Sequence, residues 1–215
     1  MIAKLTETDR QTGREALVRI ATGLLVEHGP NRLTLRALAD AAAMSRSTPY
    51  SYFRDKQDIL DGIRAAGYRR LTARYETVLE AEPDPLTRLR RCSEAYVAFA
   101  MDEPAVFDLM TGKALDRERA AAELNAARDR FIGVAGTVLQ TCLDAGLVTG
   151  NAVHVRVITV AALHGLIHLV RARHIDPETE LRAHLARMLN MIARSILNRD
   201  HPDIRANPEL MRLLA

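Results

Sequence analysis

The sequence predicts an all-α protein, a small N-terminal helical unit followed by a larger helical domain. Three observations carry this prediction. Among 215 residues, Gly and Pro number only 11 and 8, whereas the helix-favouring Ala, Leu and Arg abound. Apolar residues recur at spacings of three and four, and no stretch alternates as a half-buried strand would. Gly, Pro and Asp gather at a few points that cut the chain into helix-length pieces. A hydrophobic content of 48% supplies enough apolar side chain for a real core.

Residues 1 to 10 read as a loose arm. A first helix starts at Thr12 and carries Ala16, Leu17, Ile20, Ala21, Leu24 and Leu25 on one face. It stops at "HGPN", where Gly29 can take a positive φ and Pro30 prevents continuation. Thr34 then serves as the N-cap of a second helix, with Leu33 before it as a staple residue. Leu35, Leu38, Ala39 and Ala42 form the apolar face of that short helix. After "AMS", Ser45 is suited to cap a third short helix.

The stretch "SRSTPYSYFRDKQDIL", from Ser45 to Leu60, is unusual for this chain. Nine Phe and Tyr residues exist in the whole sequence, there is no Trp, and three of the nine fall between Tyr50 and Phe53. Three short helices, the last two joined by a tight turn, make a helix-turn-helix unit. The third helix of such a unit enters the DNA major groove, so its start must be short, polar and outward-facing. Ser45, Arg46, Ser47 and Thr48 meet that need. Pro49 stiffens the reading end at little cost, because the first N–H groups of a helix lack intrahelical partners. It forfeits about one bond if Ser45 is the cap and none if Ser47 is. Phe53 reads as a core plug, while Tyr50 and Tyr52 can offer a hydroxyl to phosphate and a ring to sugar or a thymine methyl. Thr34, Arg36, Ser51 and Lys56, which opens the next helix, complete the predicted DNA-contacting set.

Long helices follow. Lys56 to about Glu80 carries Ile59, Leu60, Ile63, Ala66, Tyr68 and Leu71, and "AEPDP" ends it. Leu86–Met101, a short Pro104–Met110 and a long segment from Arg117 to about Ala145 come next. Val153 to about Arg173 is apolar almost all round, which predicts a buried helix. The last long helix bears Leu181, Leu185, Met188, Ile192 and Ile196 on one stripe, and a polar tail runs from about residue 199. The expected division is 1–56 for the arm and helix-turn-helix and 57–215 for the remainder.

Charge supports the same division. Residues 1–56 hold nine Lys and Arg against six Asp and Glu, and the rest of the chain holds 21 of each, so the whole net charge of +3 sits in the first quarter. Cys92 and Cys142 form no paired motif, which indicates neither a disulfide framework nor a zinc ribbon. The polar start "MIAKLTETDRQTGRE" lacks the apolar segment of a signal peptide, and the apolar run Val157–Val170 spans 14 residues, short for a bilayer. A cytoplasmic protein without membrane contact is expected. No GxSxG, GxGxxG or HExxH pattern occurs, and "TGK" at Thr111–Lys113 lacks the earlier glycine of a phosphate loop. The reading is therefore of a non-enzyme with no cofactor and no metal. His164 and His168 are spaced to share a helix face, but no third metal ligand is evident.

The segment "LTLRALADAAAMSRSTPYSYFRDKQDIL" resembles the DNA-binding region of TetR-type transcriptional repressors, over about residues 12 to 62. The resemblance rests on the order Thr cap, Leu-x-x-Leu-Ala, Ser-Arg, Tyr-x-Tyr-Phe, Lys, Leu. One departure is visible: the family usually has Gly in the turn before the third helix, and here Ala43 stands there. The resemblance implies a homodimer that binds a palindromic double-stranded DNA operator. It also implies a helical C-terminal domain that binds a small effector and dimerises through its last two long helices. "YVAFAMDEPAVFDLM" and "TVAALHGLIHLV" are similar to stretches of one subgroup of such domains. Within that scheme, Tyr96, Phe99, Phe107, Met110, Phe131 and His164 are candidates to line a pocket for a largely apolar effector. Ala161, Gly165, His168, Leu185, Met188 and Ile192 are candidates for the dimer interface, with Ala161 and Gly165 making a flat patch for close helix approach. The alternative is a dimeric DNA-binding or architectural protein that answers to no effector.

Overall fold

A computed structural model describes residues 7–112 and 120–214. Among them the structure is helical throughout, apart from an isolated antiparallel bridge between Val148 and Leu197. The order is α1 (Glu7–Arg32), α2 (Leu35–Ala41), a 3-10 turn (Thr48–Ser51), α3 (Lys56–Ala81), α4 (Pro85–Asp102), α5 (Pro104–Thr111), α6 (Ala122–Asp144), α7 (Ala152–Arg171), α8 (Leu181–Ile196), α9 (Pro202–Ala206) and α10 (Pro208–Leu214).

The chain divides into two compact units, and no single cut separates them. One comprises Met1–Thr72 with Glu103–Phe131, the other Ala73–Asp102 with Ile132–Ala215. Helices α3 and α6 each contribute residues to both. The N-terminal segment proposed to read DNA thus belongs to a unit that also needs α5 and the start of α6.

In the first unit, Leu17, Ala21, Leu25, Leu33, Leu38, Phe53, Ile59 and Ile63 are all buried, so the apolar faces read from the sequence do meet in a core. α1 extends further toward the N-terminus than expected, starting at Glu7, because Glu7 to Gln11 contains no helix breaker. It kinks at Gly29, whose φ of 74° is the left-handed conformation anticipated there. The Thr34 hydroxyl accepts the Ala37 N–H at 3.0 Å, as an N-cap should.

The turn between α2 and the third element solves its geometry in an unexpected way. Ala43 takes φ 51°; its N–H donates to Asp40 O and that of Met44 to Ala39 O. This pair of bonds is the Schellman closure of a helix, which normally places Gly at the left-handed position. The same closure ends α6, with Gly146 at φ 71°, and α7, with Arg173 at φ 58°. The left-handed conformation costs a residue with a Cβ about 1 kcal/mol or more, and at Ala43 two carbonyl bonds offset it.

The third element also departs from expectation. It is a single 3-10 turn rather than an α-helix, and Ser45 does not cap it. Ser47 stands at the cap position, so Pro49 falls in the first turn, where its missing N–H costs nothing. The Ser45 hydroxyl instead bonds the hydroxyls of Ser47 (3.0 Å) and Thr48 (2.8 Å).

In the second unit, Leu139, Cys142, Val148, Val155 and Ile196 form one buried cluster, and Leu147, Leu197, Ile204 and Leu214 another. Contrary to the sequence expectation, α7 is not buried all round. Leu163, Leu166, Ile167 and Val170 face inward, but Val153, Val157 and Ile158 are 53%, 57% and 60% exposed. The apolar residues are too many for one contact stripe, and the surplus faces outward. The helix is 20 residues long and, by length and composition alone, apolar enough to cross a membrane. The run of 14 residues counted in the sequence is shorter because it leaves out the first turn and a half of the helix.

Candidate nucleic-acid interface

The 3-10 turn and the segment around it hold most of the predicted DNA-contacting residues on one exposed stretch. Ser45, Arg46, Ser47, Tyr50 and Ser51 are exposed, and Arg36 is exposed on α2. Arg36 and Arg46 engage no protein group among the described residues, so both guanidinium groups are available to an anionic partner. Tyr50 is 63% exposed, a large aromatic left in water in a chain with few aromatics. Thr48 and Lys56 are half-buried, and the Lys56 ammonium lies 3.5 Å from Asn31 O. Thr34 commits its hydroxyl to its cap.

Tyr50, Tyr52 and Phe53 separate by face. Phe53 is buried, as anticipated for a plug. Tyr52 is half-buried, and a Cβ added at Gly13 would lie 2.9 Å from its ring, so only glycine lets the phenol rest against α1. Tyr52 therefore faces outward less than Tyr50 does.

Two arginines that sequence reasoning missed hold this segment from behind. Arg10 donates to Ser51 O at 2.7 Å and Arg14 to Tyr52 O at 2.7 Å. The Arg14 guanidinium also lies 4.4 Å above the Phe53 ring, bonds Asp58 at 2.8 Å and reaches Glu123 of α6 at 3.3 Å. Glu123 pairs in turn with Arg69 at 2.8 Å. Burial works to raise the Asp58 carboxyl, but the Arg54 N–H and the Arg14 guanidinium outweigh it and hold its pKa below the usual value. The only hint in the sequence is the one-turn spacing of Arg10 and Arg14, which puts them on one face of α1. Their partners lie some forty residues away or more and are invisible to periodicity.

The predicted effector residues fall in both units. Phe107, Met110 and Phe131 belong to the first, with Phe131 5.9 Å from the Tyr68 ring. Tyr96, Phe99 and His164 belong to the second, where the Tyr96 hydroxyl and His164 Nε2 are 2.7 Å apart. Burial lowers the His164 pKa, so the imidazole is held neutral. The second unit also holds a cavity of about 720 Å³, bounded by the start of α4, the end of α8 and the α9–α10 segment. Leu89, Arg90, Ile192, Ile204 and Leu210 are among its lining residues, and none of the six predicted effector residues is.

Of the predicted interface residues, Ala161, Gly165 and His168 are exposed on α7 and lie along the same side as Val153 and Val157. Leu185 is buried within its own unit, Met188 is half-buried, and Ile192 packs against the Cys142 cluster. Among the described residues no group of three or more Asp, Glu, His or Cys is arranged to hold a metal ion.

Comparison with known proteins gives two matching family models. One, described as bacterial regulatory proteins of the tetR family, matches residues 17–63; the other, a tetracyclin repressor-like C-terminal domain, matches residues 89–192. Together they cover well over half of the chain. Among curated proteins, the nucleoid occlusion factor SlmA of Aliivibrio fischeri (strain MJ11) is 29% identical over 128 residues, 58% of this chain and 65% of that protein. The match thus spans just under two thirds of that relative's length. A solved structure of a protein of unknown function from Rhodococcus sp. RHA1 is 27% identical with a TM-score of 0.76, covering 86% of this chain and 95% of that one. The regulator PfmR of Thermus thermophilus, titled a TetR family transcriptional regulator, shares the fold at TM-score 0.61 and 23% identity, covering 83% of this chain and 97% of its own.

Proposed function

Because the chain belongs to the TetR family of transcriptional regulators, we propose that it acts as a dimeric repressor released from a palindromic operator by a small, largely apolar effector. The observation that carries the proposal is the exposed set Arg36, Arg46, Ser47 and Tyr50 beside the 3-10 turn, inside the segment that the regulator model matches. Short polar side chains and an aromatic hydroxyl there suit base edges and phosphates, and the two uncommitted guanidinium groups suit phosphate or guanine. Two copies reading one site would set their reading elements about 34–36 Å apart.

The outward apolar side of α7 supports dimerisation. A contiguous row of Val153, Val157, Ala161 and Gly165 in water is costly for a monomer and ordinary for a buried interface. The cavity of about 720 Å³ in the second unit is of a size that holds small molecules. Its many aliphatic lining residues favour an apolar effector. The protein works where chromosomal DNA is, in the cytoplasm.

A second reading has its own support. The nucleoid occlusion factors at 29% identity favour a DNA-binding protein that needs no effector. The deciding experiment is a gel shift on the DNA flanking the protein's own gene, with salt and competitor varied. A discrete complex that survives competitor supports the repressor reading. Binding lost at modest salt would sink operator recognition at that site. Thermal stabilisation by members of a small-molecule library separates the effector-dependent from the effector-independent form.

A further inference from the structure

Arg14 cannot itself be a DNA ligand, because its side chain is only 15% exposed. It is nevertheless the most heavily engaged residue behind the DNA-reading segment. Its guanidinium spans the Tyr52 carbonyl, the Phe53 ring, the Asp58 carboxylate and the Glu123 carboxylate, on three separate stretches of chain. A planar fork with five donors can hold these directions at once, and an ammonium cannot. The Tyr52 carbonyl is the last acceptor of the reading turn, immediately before the plug that seats it. A shift of Arg14 therefore moves the turn as a body.

We infer that Arg14 is the positioning residue of the DNA-reading turn and that Glu123 of α6 fixes the arginine in place. Base-edge contacts depend on close register, whereas phosphate attraction does not. Loosening Arg14 thus removes sequence discrimination and leaves general affinity. Arg69 on the far side of Glu123 keeps that carboxylate from swinging away. The inference rests on the DNA-binding reading above.

The test uses the full chain, a duplex selected from a random pool by the wild-type protein, and an unselected duplex. Arg14→Gln, Arg14→Lys and Glu123→Gln are compared with wild type below their melting temperatures. Arg14→Gln is expected to weaken binding to the selected duplex by about tenfold or more, with the unselected duplex bound as before. The slope of log K against log salt is expected to stay at the wild-type value, because no phosphate contact is lost. Arg14→Lys should recover only part of the loss, and Glu123→Gln, which removes one charge at a partly exposed site, should lose a few-fold in the same direction. Two outcomes overturn the inference: an unchanged ratio of selected to unselected binding in folded Arg14→Gln and Glu123→Gln, or a salt slope lowered by about one, which marks a direct phosphate contact. If Arg14→Gln does not fold, Glu123→Gln decides alone. Failure of the wild type to enrich any duplex would instead remove the DNA-reading proposal on which this one stands.

Discussion

Tyr96 and His164, 68 positions apart in sequence, meet in the second unit with the phenol oxygen 2.7 Å from Nε2 and the rings near-parallel at 5.7 Å. Burial depresses the His164 pKa, so the folded protein prefers the neutral ring and the unfolded chain binds the extra proton first. The stability linked to this ring is complete above its unfolded value near 6.5 and is lost as pH falls through the lower folded value. Denaturant unfolding at about pH 7.5 and about pH 5.5 should show this loss in the wild type and a smaller one in His164→Phe. Tyr96→Phe should cost about 1–2 kcal/mol at pH 7.5 by stranding the imidazole nitrogen.

The turn before the reading element offers a stabilising change. Ala43 sits at φ 51° and carries the penalty of its Cβ there. Ala43→Gly should raise stability by about 0.5–1 kcal/mol, the left-handed penalty less the extra freedom glycine gives the unfolded chain. Thermal melts measure it directly. A fall in melting temperature would show that the side chain contributes packing outweighing the backbone penalty.

At the surface itself, Tyr50→Ala should lower operator affinity by about tenfold with the melting temperature unmoved, because the ring is largely in water in the free protein. Arg46→Ala should weaken operator and unrelated DNA alike and reduce the salt slope by about one if it meets a phosphate. Should it instead weaken the operator alone, it reads a base.

Gly165 separates protomer from assembly. A Cβ added there meets nothing within 4 Å, so a larger side chain fits the single chain without clash. Gly165→Leu should stabilise α7 by helix propensity, about 0.8 kcal/mol, while blocking close approach of a second helix. Sedimentation should then find monomer where the wild type sediments as dimer. A Gly165→Leu protein that still dimerises would move the interface away from this face.

Much of the fold was legible because it is local. The Thr34 cap, the Gly29 kink and the Phe53 plug each follow from one residue type at one spacing. The 3-10 form of the reading turn was not legible, because the hydroxyl cluster of Ser45, Ser47 and Thr48 competes with capping in a way that composition cannot weigh. The outward face of α7 escaped for a different reason: hydropathy counts apolar residues but not which of them the second unit has room to cover. Arg14 was missed because its meaning lies in partners scattered over more than a hundred residues.

The first unit is assembled from two stretches of chain that are not neighbours in sequence. A ribosome must therefore deliver Phe131 before that unit can close, although the DNA-reading turn is finished by Ser51. At ordinary synthesis rates, the interval is about 4–16 s, during which the nascent segment lacks the carboxylate that fixes Arg14. The protein is thus expected to acquire sequence discrimination late in its own translation, and fragments cut soon after the reading turn are expected to bind DNA without choosing it.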